Sequence, residues 1–257
     1  MRWCWLIGLL CLAAPQATAQ VRPGLELGPE LYYYSYREPN FVRQSGPFAG
    51  LNGSYTAGFG AWFATGNLIG DVGYLDYHSS GTGRLKGIWN FSGDLRGLFG
   101  RDLPLSSGVA ASPYLGVGYR VLFDKAGGRS TTTGASGYDR LSQYLYLPLG
   151  VGLGIASGDW LFRPSVEYDV FLHGMQNSYL SEVGFDADVT NQQRRGYGLR
   201  ASVLAETGRL SFGPFLRYWN IENSESAAVS LGGAPAGRVF EPANKTIEAG
   251  VTLRLHL

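Results

Sequence analysis

Beyond its first nineteen residues this 257-residue chain has no cysteine, because Cys4 and Cys11 both fall inside them. The remainder therefore has no disulfides and no thiolate metal site. Its three histidines, His78, His173 and His256, are scattered, so no metal constellation can be drawn and no cofactor is expected. An excess of either charge is also missing: 21 Lys and Arg face 20 Asp and Glu, which removes the basic footprint of a nucleic-acid binder. Charged residues reach only 16%, below the roughly 25% of an ordinary soluble domain. Past residue 19 no stretch approaches the roughly 18 uninterrupted apolar residues of a transmembrane helix. Apolar residues are nonetheless plentiful, and 38 glycines are spread among them. The hydrophobicity is interleaved, and interleaving is a property of strands.

The first nineteen residues read as an export signal. Arg2 is a positive start, Trp3 to Ala14 are free of charge, and Ala17-Thr18-Ala19 offers a cleavage site before Gln20. The run is too short to span a bilayer of about 30 Å. A lipoprotein signal at Cys11 would need a small residue where Leu10 stands. The expected organisation is a signal over 1–19 and a single domain over 20–257.

Apolar residues recur at every second position in ten windows, near 25–36, 47–57, 61–77, 87–101, 109–124, 141–155, 160–173, 195–206, 209–221 and 246–257. In the fifth, Leu115, Val117, Tyr119, Val121 and Phe123 alternate with Tyr114, Gly116, Gly118 and Arg120. The expected fold is all-β: a single transmembrane antiparallel up-and-down β-barrel of about ten strands, with eight to twelve possible.

The positions of the charges favour lipid over water on the apolar side. In the cores of these windows every Asp, Glu and Arg falls on the other face, and Lys is nearly absent. An Arg or Lys facing lipid at mid-bilayer costs about 2–4 kcal/mol, whereas a soluble sheet tolerates stray charges. Short links near 58–60, 102–108, 156–159 and 207–208 alternate with long ones near 37–46, 78–86, 125–140, 174–194 and 222–245. That is the pattern of periplasmic turns and extracellular loops. Trp62, Phe99, Trp160 and Phe212 suit one interfacial girdle, and Tyr74, Trp89, Phe123 and Tyr218 the other. Pro29, Pro113, Pro148, Pro164 and Pro214 fall within strands, where each removes a ladder hydrogen bond; bulges or rim positions are the expected accommodation.

At the C-terminal end, Glu248-Ala249-Gly250-Val251-Thr252-Leu253-Arg254-Leu255 resembles the targeting motif of bacterial outer-membrane proteins, although the chain ends on Leu257 rather than an aromatic. The resemblance implies an assembly motif of Glu248, Gly250, Leu253, Leu255 and Leu257, read by the barrel-assembly machinery. The whole segment after the signal resembles the broad class of small outer-membrane β-barrel proteins. Ten strands are also the count of omptin proteases and Opc-type adhesins.

The lumen is expected to hold Glu26, Glu30, Asp71, Asp94, Glu167, Asp169, Glu206 and Glu248 together with Arg96, Arg120, Arg163, Arg200, Arg217 and Arg254. Mixed signs in a narrow barrel read as mutual pairing that fills it, with a selectivity lining as the alternative. Omptins activate water with acidic residues and a His-Asp pair at the rim. The corresponding candidates here are Asp76 and His78 at the third strand's outer end, with Asp169 and His173 at the seventh's, but the paired Asp-x-Asp is missing. His78-Ser79 invites comparison with lipid A deacylases, yet adjacent strand residues point to opposite faces. Gly150-Val151-Gly152-Leu153-Gly154 lacks the third glycine and following helix of a nucleotide loop, and reads as small lumen residues under bulky partners.

Together these readings give a monomeric, non-enzymatic outer-membrane barrel, structural or engaged in surface recognition through its loops. A narrow passive channel is the alternative, and an omptin-like rim hydrolase a third. The expected partners are outer-membrane lipid, lipopolysaccharide, the assembly machinery and an unidentified surface ligand, and no nucleic acid. The expected location is the outer membrane, after export through the inner one.

Overall fold

The computed structural model describes residues 20–39 and 41–257; the export-signal reading lies outside them. The chain forms β1 (Gly24–Glu38), β2 (Val42–Phe59), β3 (Trp62–Ser79), β4 (Gly83–Arg101), β5 (Leu103–Ser106), β6 (Val109–Lys125), β7 (Arg140–Ser157) and β8 (Trp160–Ser178). These are followed by β9 (Val189–Gln193), β10 (Gly196–Thr207), β11 (Leu210–Ile221), β12 (Ala227–Leu231), β13 (Ala234–Val239) and β14 (Asn244–His256). Ten of them, β1–β4, β6–β8, β10, β11 and β14, pair antiparallel with their sequence neighbours. β14 returns to β1, with Leu31 opposite Val251, and closes the barrel. β5 continues the line of β4 along β6, β9 continues that of β10 along β8, and β12 and β13 form a separate hairpin.

The alternation separates two surfaces as expected. Leu31, Leu51, Leu68, Leu95, Leu115 and Val251 point outward and are exposed, while Glu30, Asn52, Asp94, Arg120 and Glu248 point inward and are buried. Trp62 stacks on Phe99 at one border of the apolar band, and Tyr74 meets Trp89 edge-on at the other. The twelve residues between Trp62 and Tyr74 rise about 40 Å along a strand, or about 30 Å along the normal after tilt, which matches a hydrocarbon core.

Two of the expected long connections are tight turns. β1 ends at Glu38 and β2 begins at Val42, and β3 and β4 meet over 80–82, because these strands run 15 to 19 residues. The alternation continues past the apolar band in polar residues, with Tyr36 and Glu38 inward and Arg37 outward, so a boundary set by hydrophobicity stops short. The connections that remain long, 126–139, 179–195 and 222–243, leave the same end of the barrel as these two turns.

The prolines stay inside the strands without bulges of their own. At Pro29, Pro148, Pro164 and Pro214, and at Pro47, two consecutive rungs are absent from one neighbouring ladder while the opposite ladder is unbroken. Pro113 sits where β4 stops pairing with β6 and β5 takes over. The barrel bulges elsewhere, at Leu75/Tyr77 and Leu145/Tyr146.

Inward-facing glycines seat aromatic rings of the adjacent strand. Gly73 lies opposite Phe48, Gly100 opposite Phe63, Gly118 opposite Tyr146 and Gly150 opposite Tyr114. A Cβ at Gly118 would stand 2.1 Å from the Tyr146 ring, and one at Gly73 2.1 Å from Phe48. Large rings fit a narrow lumen because the wall beneath them has no side chain.

Candidate functional site

Glu26, Glu30, Asp71, Asp94, Glu167, Asp169, Glu206 and Glu248 share the inner side of the wall with Arg96, Arg120, Arg163, Arg200, Arg217 and Arg254, and these six arginines are paired. Arg217 donates to Glu30 at 2.7 Å and to Glu248 at 3.3 Å, and Arg120 closes this group from the other side of Glu248. Arg200 donates to Asp94 at 2.6 Å and Asp169 at 2.8 Å, lies 3.3 Å from Glu167, and so joins a group completed by Arg96 on Glu167. Towards the chain ends, Arg163 meets Glu206 at 2.7 Å and Arg254 meets Glu26 at 3.7 Å. Asp71 accepts from the hydroxyls of Tyr32 and Ser92, each at 3.1 Å. The strands interleave these signs because carboxylate and guanidinium stand on neighbouring strands at one level: Arg217 is opposite Glu248, and Glu167 opposite Arg200. Aromatic rings fill the space between, with Tyr146 against Trp219 and Arg200 over both.

The rim candidates for hydrolysis are not brought together. Asp76 and His78 point to the outside of β3 and are exposed. The Asp76 carboxylate accepts the Gly87 N–H at 3.0 Å, holding the bulge where β4 opposes it with Lys86 and Gly87. Ser79 faces the other way and accepts the N–H groups of Gly81 and Thr82. Asp169 is fully buried on Arg200. His173 lies on the other side of the wall from it: the bulge at Leu172 shifts parity, so Phe171 faces in opposite Tyr146 while His173 pairs with the outward Leu145. Among the described residues no cluster of His, Cys, Asp and Glu has metal-binding geometry.

A second charged group lies at the mouth, with Glu38, Gln44, Arg140 and Glu241 in the expected loops and Tyr36 and Asp124 at the ends of expected strands. Arg140 donates to Asp124 at 3.0 Å and stands 3.9 Å from Glu38 and 3.8 Å from Glu241. The Tyr36 hydroxyl lies 2.8 Å from Glu38 and 3.0 Å from Glu241, and Gln44 donates to Asp124 at 2.7 Å. Burial pushes the Glu241 carboxyl above its ordinary range, against the pull of Arg140, and Glu38 adds to the rise. Tyr138 is likewise raised by burial. The signal for Glu38 was present: it continues the inward row Glu30, Tyr32, Tyr34, Tyr36. Glu241 carries no such mark, since it belongs to no strand.

These side chains floor a vestibule of about 300 Å³ roofed by Thr131, Tyr138, Phe240 and Pro242. The roof is built from loops with a core of their own. Leu180, Val189 and Val229 are buried together against Tyr138, Phe185 and Val239. Asn191 ties β9 to this hairpin by donating to the carbonyls of Glu225 and Val239, and Asp186 accepts the N–H groups of Gly232 and Gly233. Below the vestibule, a recess of about 30 Å³ lies between Trp219, Asn90 and Arg120. At the opposite mouth a recess of about 240 Å³ is entered by Val21 and Arg22, where the Val21 N–H donates to Asp102 and Arg163 holds the Gln20 carbonyl.

No protein-family model matches this chain, and no curated protein sequence does. Among solved structures, the outer membrane protease OmpT of Escherichia coli is similar over 91% of this chain and 97% of its own, with a TM-score of 0.57 and 6% identity. The transport unit of the autotransporter AIDA-I, also from Escherichia coli, is similar over 92% and 91%, with a TM-score of 0.49 and 8% identity. The toluene transporter TbuX of Ralstonia pickettii is similar over 92% and 90%, with a TM-score of 0.39 and 9% identity. At such identities the likeness is one of fold, and that fold, a closed barrel of ten antiparallel strands, is the outer-membrane β-barrel.

Proposed function

We propose that this chain resides in the outer membrane as a sealed, monomeric, non-enzymatic barrel that presents an ordered recognition cap on the cell surface. One observation carries the reading: two groups of ion pairs, centred on Arg217 and Arg200, cross the lumen at membrane level and, among the described residues, leave no arginine there unpaired. A charge removed from water and held by good partners rigidifies its surroundings, whereas a conducting lining must let its charges meet passing ions. Recognition then falls to the rigid surface above the seal. The vestibule sets Glu38, Asp124 and Glu241 against a single Arg140, so it favours a partner that presents a positive group. Export through the inner membrane and delivery to the assembly machinery follow the same reading. In the folded barrel Glu248 of that motif is held by Arg120 and Arg217, and Gly250 lies so close to β1 that a Cβ there would meet the Leu31 carbonyl at 2.1 Å.

The test is single-channel recording in planar bilayers with refolded protein. A silent wild type, with ion-permeable steps appearing in Arg200→Ala/Arg217→Ala, supports a seal. Steady conductance in the wild type would replace this reading with the passive channel. Cleavage of peptides or of lipid A ester bonds by purified protein, lost in His78→Ala or His173→Ala, would replace it with a rim hydrolase.

A further inference from the structure

The outer face of the barrel ends differently on its two sides. On β14, β1, β2, β3 and β4, just beyond the aromatic border, the cross-strand neighbours on the outside are Lys245, Arg37, Arg43, His78 and Arg84 in an unbroken row. All five are exposed, and Lys86 follows on β4. Among the described residues none of these basic side chains forms an ion pair, and the single outward carboxylate nearby, Asp76, is held by the Gly87 N–H. Carried on through its cross-strand neighbours, the row runs to Asn220 on β11, Tyr197 on β10, Val170 on β8 and Leu147 on β7, with Gln143, Met175 and Asn177 nearer the long-loop end of β7 and β8, and none of these is charged. Lys125 on β6 and Arg195 before β10 are basic and outward but stand 3.8 Å from Asp139 and Glu222, so the cations without a carboxylate partner are confined to half of the circumference.

Its height fixes what it meets. His78 lies four residues beyond Tyr74, and Arg37 four beyond Tyr33. Four residues rise about 13 Å along a strand and about 10 Å along the membrane normal after tilt. Adding the polar layers to a hydrocarbon core of about 30 Å gives about 40–45 Å, so headgroups occupy this level. Adjacent strands are spaced about 4.8 Å apart, so the row offers cations at a pitch at which neighbouring residues can share one phosphate. A groove between Arg37, Arg43 and His78, walled by Pro39 and Phe41 of the β1–β2 turn, opens onto the same row.

We propose that this row is a docking belt for the phosphate groups of lipopolysaccharide, held laterally against the barrel wall in the outer leaflet. Charge complementarity selects the occupant: several uncompensated cations at headgroup depth recruit a multiply phosphorylated lipid, and the neutral half does not. The proposal rests on the outer-membrane reading and on the long-loop end facing outward.

The experiment titrates rough lipopolysaccharide into detergent-solubilised protein and counts bound lipid by native mass spectrometry. One arm uses the wild type with intact lipid, one uses enzymatically dephosphorylated lipid, and one adds inorganic phosphate as competitor. Two variants complete it: Arg37→Gln/Arg43→Gln/Arg84→Gln, and Gln143→Ala/Asn177→Ala/Asn220→Ala on the neutral half. The belt variant is expected to bind intact lipid roughly a hundredfold more weakly, at about fivefold per charge removed. The neutral-half variant is expected to match the wild type, dephosphorylated lipid to bind like the belt variant does, and inorganic phosphate not to compete. Equal binding of intact and dephosphorylated lipid by the wild type overturns the belt, and needs no variant to fold. Equal loss in both variants, or displacement by inorganic phosphate, overturns it as well. If the wild type fails to insert into liposomes at all, the membrane reading itself falls; if it inserts but ignores the phosphates, only the belt falls.

Discussion

Arg217 and Arg43 face opposite sides of one wall and differ in almost every physical respect. Arg217 is buried, with Glu30 and Glu248 on its guanidinium and the Phe215 ring 4.3 Å from it; Arg43 is exposed and has no carboxylate partner among the described residues. The contrast extends to their neighbours, because the lumen arginines share carboxylates across strands whereas the outer row is basic throughout. A barrel strand sorts side chains by parity alone, so one residue type serves as internal brace or as external handle according to whether its position is odd or even. What separates the two parts is therefore the pairing, not the residue.

The first way to break the comparison is to remove each arginine in turn. Arg217→Met leaves Glu30 and Glu248 buried with fewer partners, a loss of about 3–5 kcal/mol for a broken buried pair. Arg43→Met is expected within about 0.5 kcal/mol of the wild type, as for surface changes generally. Urea titration in detergent, followed by the gel shift between folded and heat-denatured forms, measures both. Equal destabilisation by the two would mean that the lumen pairs do not brace the barrel.

Moving an arginine along the outer face sharpens the same point. Leu95 lies opposite Leu68, midway between the Trp62 and Tyr74 borders. Leu95→Arg is expected to cost about 2–4 kcal/mol in lipid vesicles, because the charge meets hydrocarbon there and headgroups at Arg43. If stability is unaffected in vesicles, the outward leucines do not face lipid.

Glycine divides in the same way between the two faces. Gly118→Ala would push its methyl into the Tyr146 ring, whose hydroxyl donates to Asp94 at 2.6 Å. Overpacking of that kind costs about 1–3 kcal/mol. Gly97, on the outer face of β4, has nothing within 4 Å of where a Cβ would stand, so Gly97→Ala is expected to be close to neutral. Thermal unfolding of the pair decides whether the lumen glycines are seats for rings.

Much of this was legible in the residues. Period-two patterning located the ten strands and placed Glu30, Asp94, Arg120, Arg200 and Glu248 in one lumen, because parity is a local property. Which carboxylate each arginine takes was not legible, since Arg217 with Glu30 joins residues 187 apart and depends on closure between β14 and β1. His173 went astray for one reason: the bulge at Leu172 reverses parity, and nothing in Phe171-Leu172-His173 marks it. The prolines were over-read as obstacles, although dropping two rungs on one side leaves the other ladder to hold the strand. The outer belt is not legible in the alternation, because its members fall in the expected loops, 37–46, 78–86 and the edge of 222–245.

The smallest expected effect compares two carboxylates within the cap. Glu241 is raised above its ordinary 4.5, chiefly by burial, so the folded cap holds a proton there that the unfolded segment releases. Its contribution is favourable below that ordinary value and fades as pH rises through the raised one. Asp186 is lowered from its ordinary 3.8, first by the Ser230 side chain and then by the Gly233 N–H. Its contribution has the opposite sign, present above the ordinary value and lost as pH falls through the lowered one. Hydrogen exchange over 222–243 reads both. Between about pH 4.5 and pH 8, where Asp186 stays ionised, protection near Glu241 is expected to fall with rising pH while amides 232 and 233 hold steady. Glu241→Gln should flatten the first trend without touching the second. A slope that survives this substitution would place the titrating group elsewhere.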